Sequence, residues 1–487
     1  MMFRRHPIKL GILFLLLIAS GWFLLAITSL PGALKPDSDT PRAVLIENVR
    51  VISMMPGAPD AIPDQSVLVV DGQIVEVGDV ASVRTAADRL GTEVQLVKGD
   101  DRTLLPGLID AHVHVWDEAE LAGYLGYGVT SVRNMSGMPF HLPLARRIED
   151  GGLIGPDLLT TGPILNSPGA NQQDNHVLVA TDEEARAAVR KQADAGYEHL
   201  KVYSNLYPEP YAAILDEAEK LGLSVNGHTP EGRRTEGMPY EKPFEMSFED
   251  ILDDGFRTIE HTESIVWHGL RNQLDEAAMD ALAEKIAAAD VVVTPTLVAH
   301  ANLIRVAESK GAYLNRPGTE TINPVLKAFD AGTYEYWSQM DPAPREAPRA
   351  EFYKLATKKM ADAGVPLIAG TDAGIFTNTP GEALHDEFDL LIDAGLTPRQ
   401  VLESATVTSA DALGLSWRGQ VRKDYVANLI LVDGDPLSDI TLLRDLDGMM
   451  IHGVWFDRKG LAELREGATQ VNRLRTARHL ITMLMSQ

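Results

Sequence analysis

The sequence predicts an α/β protein: a (β/α)8 TIM barrel joined to a small β-sandwich domain built from both ends of the chain, preceded by an N-terminal transmembrane helix. Three observations carry this prediction. Within residues 106–417, short apolar runs alternate with Ala/Glu/Lys-rich stretches of helical period. On both sides of that region the pattern is of β type. Ahead of everything, residues 10–34 carry no charge and follow Arg4, Arg5 and Lys9.

The N-terminal stretch reads "LGILFLLLIASGWFLLAITSLPGAL". About 20 apolar residues suffice to cross a bilayer as a helix. A cleaved signal peptide has a shorter apolar core and a small-x-small site. Residues 10–34 are therefore expected to be an uncleaved signal-anchor, with the basic segment 1–9 in the cytoplasm. That orientation places the body of the protein outside the cytoplasm, in the periplasm of a bacterium. Residues 35–42, "KPDSDTPR", form a polar linker.

Residues 43–105 and 418–460 make the composite β domain. "AVLIENVRVIS" and "QSVLVVDGQIVEVG" are β-type runs, and Asp71-Gly72 between two apolar stretches is a hairpin signal. "ANLILVDGDP" and "MMIHGVWFDRKG" return to that pattern near the other end.

The barrel, 106–417, needs eight parallel strands. They fall near 108–114, 128–134, 157–164, 198–204, 223–228, 257–261, 291–296 and 366–371. Between them lie helices such as "DEEARAAVRKQADAG" and "EPYAAILDEAEKLG", each ending on glycine. Thr397, Pro398 and Gln400 form a capping box with proline at the first helical position. A doubly wound sheet is the alternative, but it would offer a Gly-rich loop after its first strand, and none is seen. Residues 461–487 are expected to form an amphipathic C-terminal helix.

The net charge of −25 argues against nucleic acid as a partner, because phosphates would be repelled. With no cysteine, thiolate metal sites, disulfides and Cys nucleophiles are excluded.

Active sites of such barrels lie at the C-terminal ends of the strands. The first strand ends in "LPGLIDAHVHVW", with His112 and His114 two apart and therefore on one side of the strand. Imidazoles so paired suit zinc or a neighbouring metal. Other strand ends carry Lys201, His228, His261 and Asp372. A lysine inside a barrel is costly unless compensated, so Lys201 is a mobile end residue, a Schiff-base former or a modified side chain.

These residues lie in "PGLIDAHVH", "HLKVYSN", "NGHT", "IEHTES" and "AGTDAG". Together the segments resemble the amidohydrolase superfamily, in its prolidase-like and imidazolonepropionase-like branch, over about residues 43–460. The resemblance implies two divalent ions, of zinc type. It implies His112, His114 and Asp372 on one, His228 and His261 on the other, and Lys201, carboxylated by CO2, as the bridge. It further implies hydrolysis of C–N bonds (amide, cyclic amide or dipeptide) by a metal-bridging hydroxide, with Asp372 as the catalytic proton shuttle. Asn134 stands where relatives often have aspartate, a departure that touches the pocket.

The partner is thus a small-molecule substrate, with the membrane engaged through the N-terminal helix and a homo-oligomer also possible. Tyr203 shares the face of Lys201, and with Trp267 and His268 it is a candidate substrate-binding residue. Lactonase, phosphotriesterase-like or deaminase chemistry on the same scaffold is the alternative. A non-catalytic scaffold would be expected to lose ligands, and all six are present.

Overall fold

The computed structural model describes residues 27–37, 41–234 and 242–486. Strands from both ends of the chain share one eight-stranded sheet. Its order is Val454–Asp457, Gly448–Ile451, Leu429–Val432, Thr103–Pro106, Ala43–Val51, Ile62–Val70 and Gln73–Gly78, with Gln95–Lys98 also paired to Ala43–Val51. This is a single ladder rather than the expected two facing sheets. Ala43–Val51 joins its parts, pairing on one edge with Ile62–Val70 and on the other first with Gln95–Lys98 and then with Thr103–Pro106. Its apolar interior joins Val44, Ile46, Val67 and Val69 to Ala427, Leu429 and Leu431. The turn between Ile62–Val70 and Gln73–Gly78 has positive φ at both Asp71 (47°) and Gly72 (79°), which matches a type I′ hairpin.

At Gly107 the chain leaves this sheet for the parallel strands. Thr103–Pro106 pairs with Leu429–Val432, and Leu108–Val113 pairs with Val129–Asn134. A Cβ at Gly107 would lie 2.3 Å from Thr130 Oγ1, so no larger residue fits the crossing. Asp157, at the start of a barrel strand, ties the two parts together by accepting from Arg418 Nε (2.5 Å), Asn428 Nδ2 (2.8 Å) and His452 Nε2 (2.8 Å).

The parallel strands run Leu108–Val113, Val129–Asn134, Asp157–Thr160 and then, in a second set, His199–Val202, Ser224–Gly227, Phe256–Glu260 and Val292–Thr294. The third segment is interrupted: Gly162-Pro163 splits it into Asp157–Thr160 and Ile164–Asn166, because proline has no N–H for the ladder. Gly162 N–H donates to His199 O (2.8 Å) and bridges the two sets. Residues 366–373 close the ring through bridges rather than a full strand. Val293 pairs with Leu367 and Val113 with Ala373, and Ala111 N–H donates to Ala369 O (2.8 Å).

The expected transmembrane helix is overturned. Among the described residues no helix is long and apolar enough to cross a membrane. Residues 1–26 of that expectation lie outside the described residues. The remainder, up to Leu34, is folded onto the protein: Leu34 is fully buried, its carbonyl accepts from Ile154 N–H (2.9 Å), and Ser29 O accepts from Arg475. A segment whose backbone carbonyls bond to the protein body is not a lipid-facing span. The anchored, extracytoplasmic placement and the membrane as partner fall with it.

The C-terminal region holds two helices, Arg458–Ala468 and Arg473–Ser486. Asn472 separates them, its Oδ1 accepting from Leu474 N–H (3.0 Å) and Arg475 N–H (3.2 Å) as an N-cap does. The second helix is pinned where the first barrel strand ends, by Arg475 Nε on Asp117 Oδ2 (2.9 Å) and His479 Nδ1 on Trp116 O (3.1 Å).

Candidate metal centre

The strand ends bring seven side chains together. His112, Lys201 and Glu260 point inward from strands one, four and six of the ring, since their side chains meet across it. His114, His228 and His261 follow directly after their strands, and Asp372 lies in the bridged segment 366–373. His112 Nε2 and His114 Nε2 lie 3.2 and 2.9 Å from Asp372 Oδ1. One ligand atom from each of these three residues falls within 4.8 Å of the others, a group able to hold a metal ion. His261 stands 4.6 Å from both His112 and His228, ring to ring, and Lys201 Nζ is 3.2 Å from His112 Nε2.

The outer nitrogens are already engaged, and that decides where the inner ones point. His112 Nδ1–H donates to Glu260 Oε2 (2.7 Å). Thr296 Oγ1 uses its proton on Pro295 O (2.8 Å), so it accepts from His261 Nδ1–H (2.6 Å). His114 Nδ1 meets Ser136 Oγ at 2.9 Å. This is how ligating histidines are usually held. Two observations then test the fit to a cation. With Nδ1–H committed to Glu260, the His112 Nε2 lone pair faces Asp372 Oδ1 and Lys201 Nζ, each at 3.2 Å, an arrangement that a cation held between His112 and Asp372 would satisfy. Among the described residues His228 Nδ1 is buried with no hydrogen-bond partner, a costly state that a ligand would relieve. The donor set fits divalent metal of the zinc type.

Electrostatics agree with neutral ligands. Burial pushes His114 down to about 4 and His261 down to about 3. It also holds His228 well below the usual imidazole range. Burial alone would raise Asp372, but His112 and His114 beside it hold the carboxyl well below the usual range. Burial likewise lowers the Lys201 ammonium to about 8, against the opposing pull of Asp372 and Glu260.

The backbone is bent to make this cluster. His261 and Asp372 have φ of 70° and 58°, and Thr296, behind His261, has 50°. Such values are rare outside glycine and cluster at functional sites. Strand alternation would send His261 outward after Glu260; the positive φ turns it back in.

Of the candidate substrate residues, Tyr203 packs on His228 (4.1 Å) and His176 (4.7 Å), and its hydroxyl makes no hydrogen bond among the described residues. Trp267 is farther out, donating from Nε1 to Glu231 Oε1 (3.0 Å) beneath the Arg234 and Arg271 guanidiniums. His268 is not brought to the cluster. Its two ring nitrogens meet Thr229 Oγ1 (2.7 Å) and Met246 O (3.0 Å), which gives it a packing role. Motif reading passed over Glu260, Ser136 and Thr296. The available signal was Glu260 beside His261 on an inward position of its strand, where an ionised group needs a reason to be.

The Amidohydrolase family model matches residues 103–456. Ochratoxinase of Aspergillus niger is 21% identical over 460 residues, covering 80% of this chain and 82% of that protein. Among solved structures, bottromycin amidohydrolase superposes with a TM-score of 0.70 at 23% identity, covering 91% of this chain and 94% of the other. A structure described as a putative prolidase from Bifidobacterium longum gives 0.60 at 20% identity, covering 88% and 99%.

Proposed function

The chain belongs to the Amidohydrolase family, and from that premise we propose that it is a binuclear metal-dependent hydrolase of amide-type C–N bonds in small substrates such as dipeptides, N-acyl amino acids or cyclic amides. The observation that carries this reading is the group His112, His114 and Asp372, able to hold one metal ion, with Lys201 and His261 against His112 and the outer nitrogen of His112 and of His261 donating to the fold behind it. In this reading His112, His114 and Asp372 hold one ion and His228 and His261 the other. Lys201 would contribute a carbamate to them, formed when its neutral amine adds to CO2 and releases one proton. The anionic carbamate removes the cost of a buried ammonium.

Bound divalent ions would supply a water acidified toward neutrality and a polarised scissile carbonyl. The residues of this chain do the rest. Asp372, kept ionised by its histidine neighbours, takes the proton of the attacking water and delivers it to the leaving nitrogen. Tyr203, which packs on His228 and whose hydroxyl has no partner among the described residues, donates to the oxygen on which charge develops. The rim residues Trp267, Arg234 and Arg271 contact the part of the substrate remote from the scissile bond. The printed descriptions of structurally similar proteins, an amidohydrolase, a prolidase and a Xaa-Pro dipeptidase, support amide-bond chemistry.

The experiment is metal analysis of the purified protein with and without bicarbonate, beside a screen of dipeptides, N-acyl amino acids, lactones and phosphotriesters. Two zinc-type ions per chain and turnover of an amide substrate, both lost in Lys201→Ala, are the expected outcome. No bound metal, full activity in Lys201→Ala, or turnover of lactones or phosphotriesters alone would overturn the proposal.

A further inference from the structure

We propose that Arg133 and Glu260 are positioning residues, a buried relay that holds His112 with Nε2 turned into the metal centre. The inference rests on the binuclear reading above.

Arg133 is among the largest fully buried side chains of the protein, and it crosses the barrel interior below the site. Its Nε donates to Ala111 O (2.6 Å) on strand one. Nη1 donates to Asn226 Oδ1 (3.2 Å) on strand five and Thr258 Oγ1 (2.8 Å) on strand six. Nη2 donates to Glu260 Oε1 (2.8 Å), which also accepts from Thr258 Oγ1. The second oxygen of Glu260 accepts from His112 Nδ1 (2.7 Å). One guanidinium thus fixes a carboxylate, and the carboxylate fixes one imidazole.

Packing alone does not explain this arrangement. Barrel interiors are usually filled by branched apolar residues. Replacing a buried ion pair by apolar groups is often neutral or stabilising. Here the pair is directional. The relay ends on His112, whose Nε2 faces the other site residues, Asp372 Oδ1 and Lys201 Nζ, each at 3.2 Å. With Oε1 of Glu260 taken by Arg133, its Oε2 accepts from His112 Nδ1, which leaves Nε2 turned into the site as a donor to metal. The guanidinium holds that buried carboxylate in one orientation.

The test compares Glu260→Gln with the double variant Arg133→Gln/Glu260→Gln, in which two neutral amides face each other. Metal-free protein is titrated with Zn2+ against a chromophoric chelator, Co2+-loaded protein is read by its visible absorption, and thermal unfolding is recorded without metal. Partners of ligating histidines set metal affinity by about 10–100-fold. The expected result is a loss of that size for one of two Zn2+ equivalents in Glu260→Gln, with an altered Co2+ spectrum. In the double variant the thermal stability recovers and the affinity does not. Should Glu260→Gln fail to fold, with a charged Arg133 left unpaired, the double variant decides alone. Native Zn2+ affinity and an unaltered Co2+ spectrum in the double variant overturn the relay while leaving the binuclear reading intact. Failure of the unsubstituted protein to bind Zn2+ refutes both.

Discussion

Lys201 should behave as an unusually reactive amine before metal binds. It is 2% exposed, and burial lowers its pKa to about 8 from the ordinary 10.5. At pH 7 such a group is about one-tenth neutral, whereas a lysine at the ordinary value is about 3 parts in 10,000 neutral, so reactive amine rises about 300-fold. Only the neutral amine adds to CO2. The rate of carbamate formation in metal-free protein, at fixed dissolved CO2, should therefore climb with pH and level off above about 8. The assay is incorporation of ¹³C-labelled CO2, followed by the carbamate carbon resonance, with Lys201→Gln as the blank. A companion effect follows from linkage. Between the folded value of about 8 and the unfolded 10.5, the unfolded chain binds the extra proton. Stability of the metal-free protein should thus rise over that interval, by up to about 3 kcal/mol. A midpoint near the ordinary lysine value, or equal labelling in Lys201→Gln, would refute the reasoning.

Three further outcomes are expected. Tyr203→Phe removes a hydroxyl without a partner among the described residues, so stability should change by less than about 0.5 kcal/mol while kcat falls by about 10²-fold; equal rates in steady-state assays would remove Tyr203 from catalysis. Arg475→Ala strips Asp117 of its buried cation and should cost about 3–5 kcal/mol in urea unfolding, with earlier protease cleavage ahead of the C-terminal helix; a loss below about 1 kcal/mol would show that the helix is not held by this pair. His141 and His385 are buried and pushed down to about 3 by that burial. Below pH 6.5 the unfolded chain takes up protons that the folded chain refuses, so each such histidine costs about 1.4 kcal/mol per pH unit. Denaturant midpoints at pH 7 and pH 5.5 measure the slope, which His385→Gln should reduce; an unchanged slope would exclude His385 as a source.

Much of the site was legible from residue spacing. His112 and His114 share a strand face by alternation, and the ends of other strands supply Lys201, His228, His261 and Asp372. The β-type runs at both ends of the chain do meet in one sheet, with the hairpin at Asp71-Gly72 where its dipeptide predicts. Reading by composition failed where composition is ambiguous. The apolar stretch 10–34 has the length of a membrane span, yet its described end, Ile27 to Leu34, is used to cover the protein. Hydropathy reports a wish to leave water and does not say whether lipid or protein receives the segment.

Tertiary structure decided the rest, because it rests on partners distant in the chain. Arg133 looks like an ordinary strand residue until Glu260, 127 positions later, is found against it. His268 looks like a pocket residue until Thr229 and Met246 occupy both its nitrogens. The inward turn of His261 depends on a left-handed backbone that no side-chain pattern encodes. By itself the sequence determined which residue types stand at the strand ends, since periodicity is a local property of the chain. Which of them face one another, and with which nitrogen, was settled only when the ring closed and each buried polar group had to find its partner.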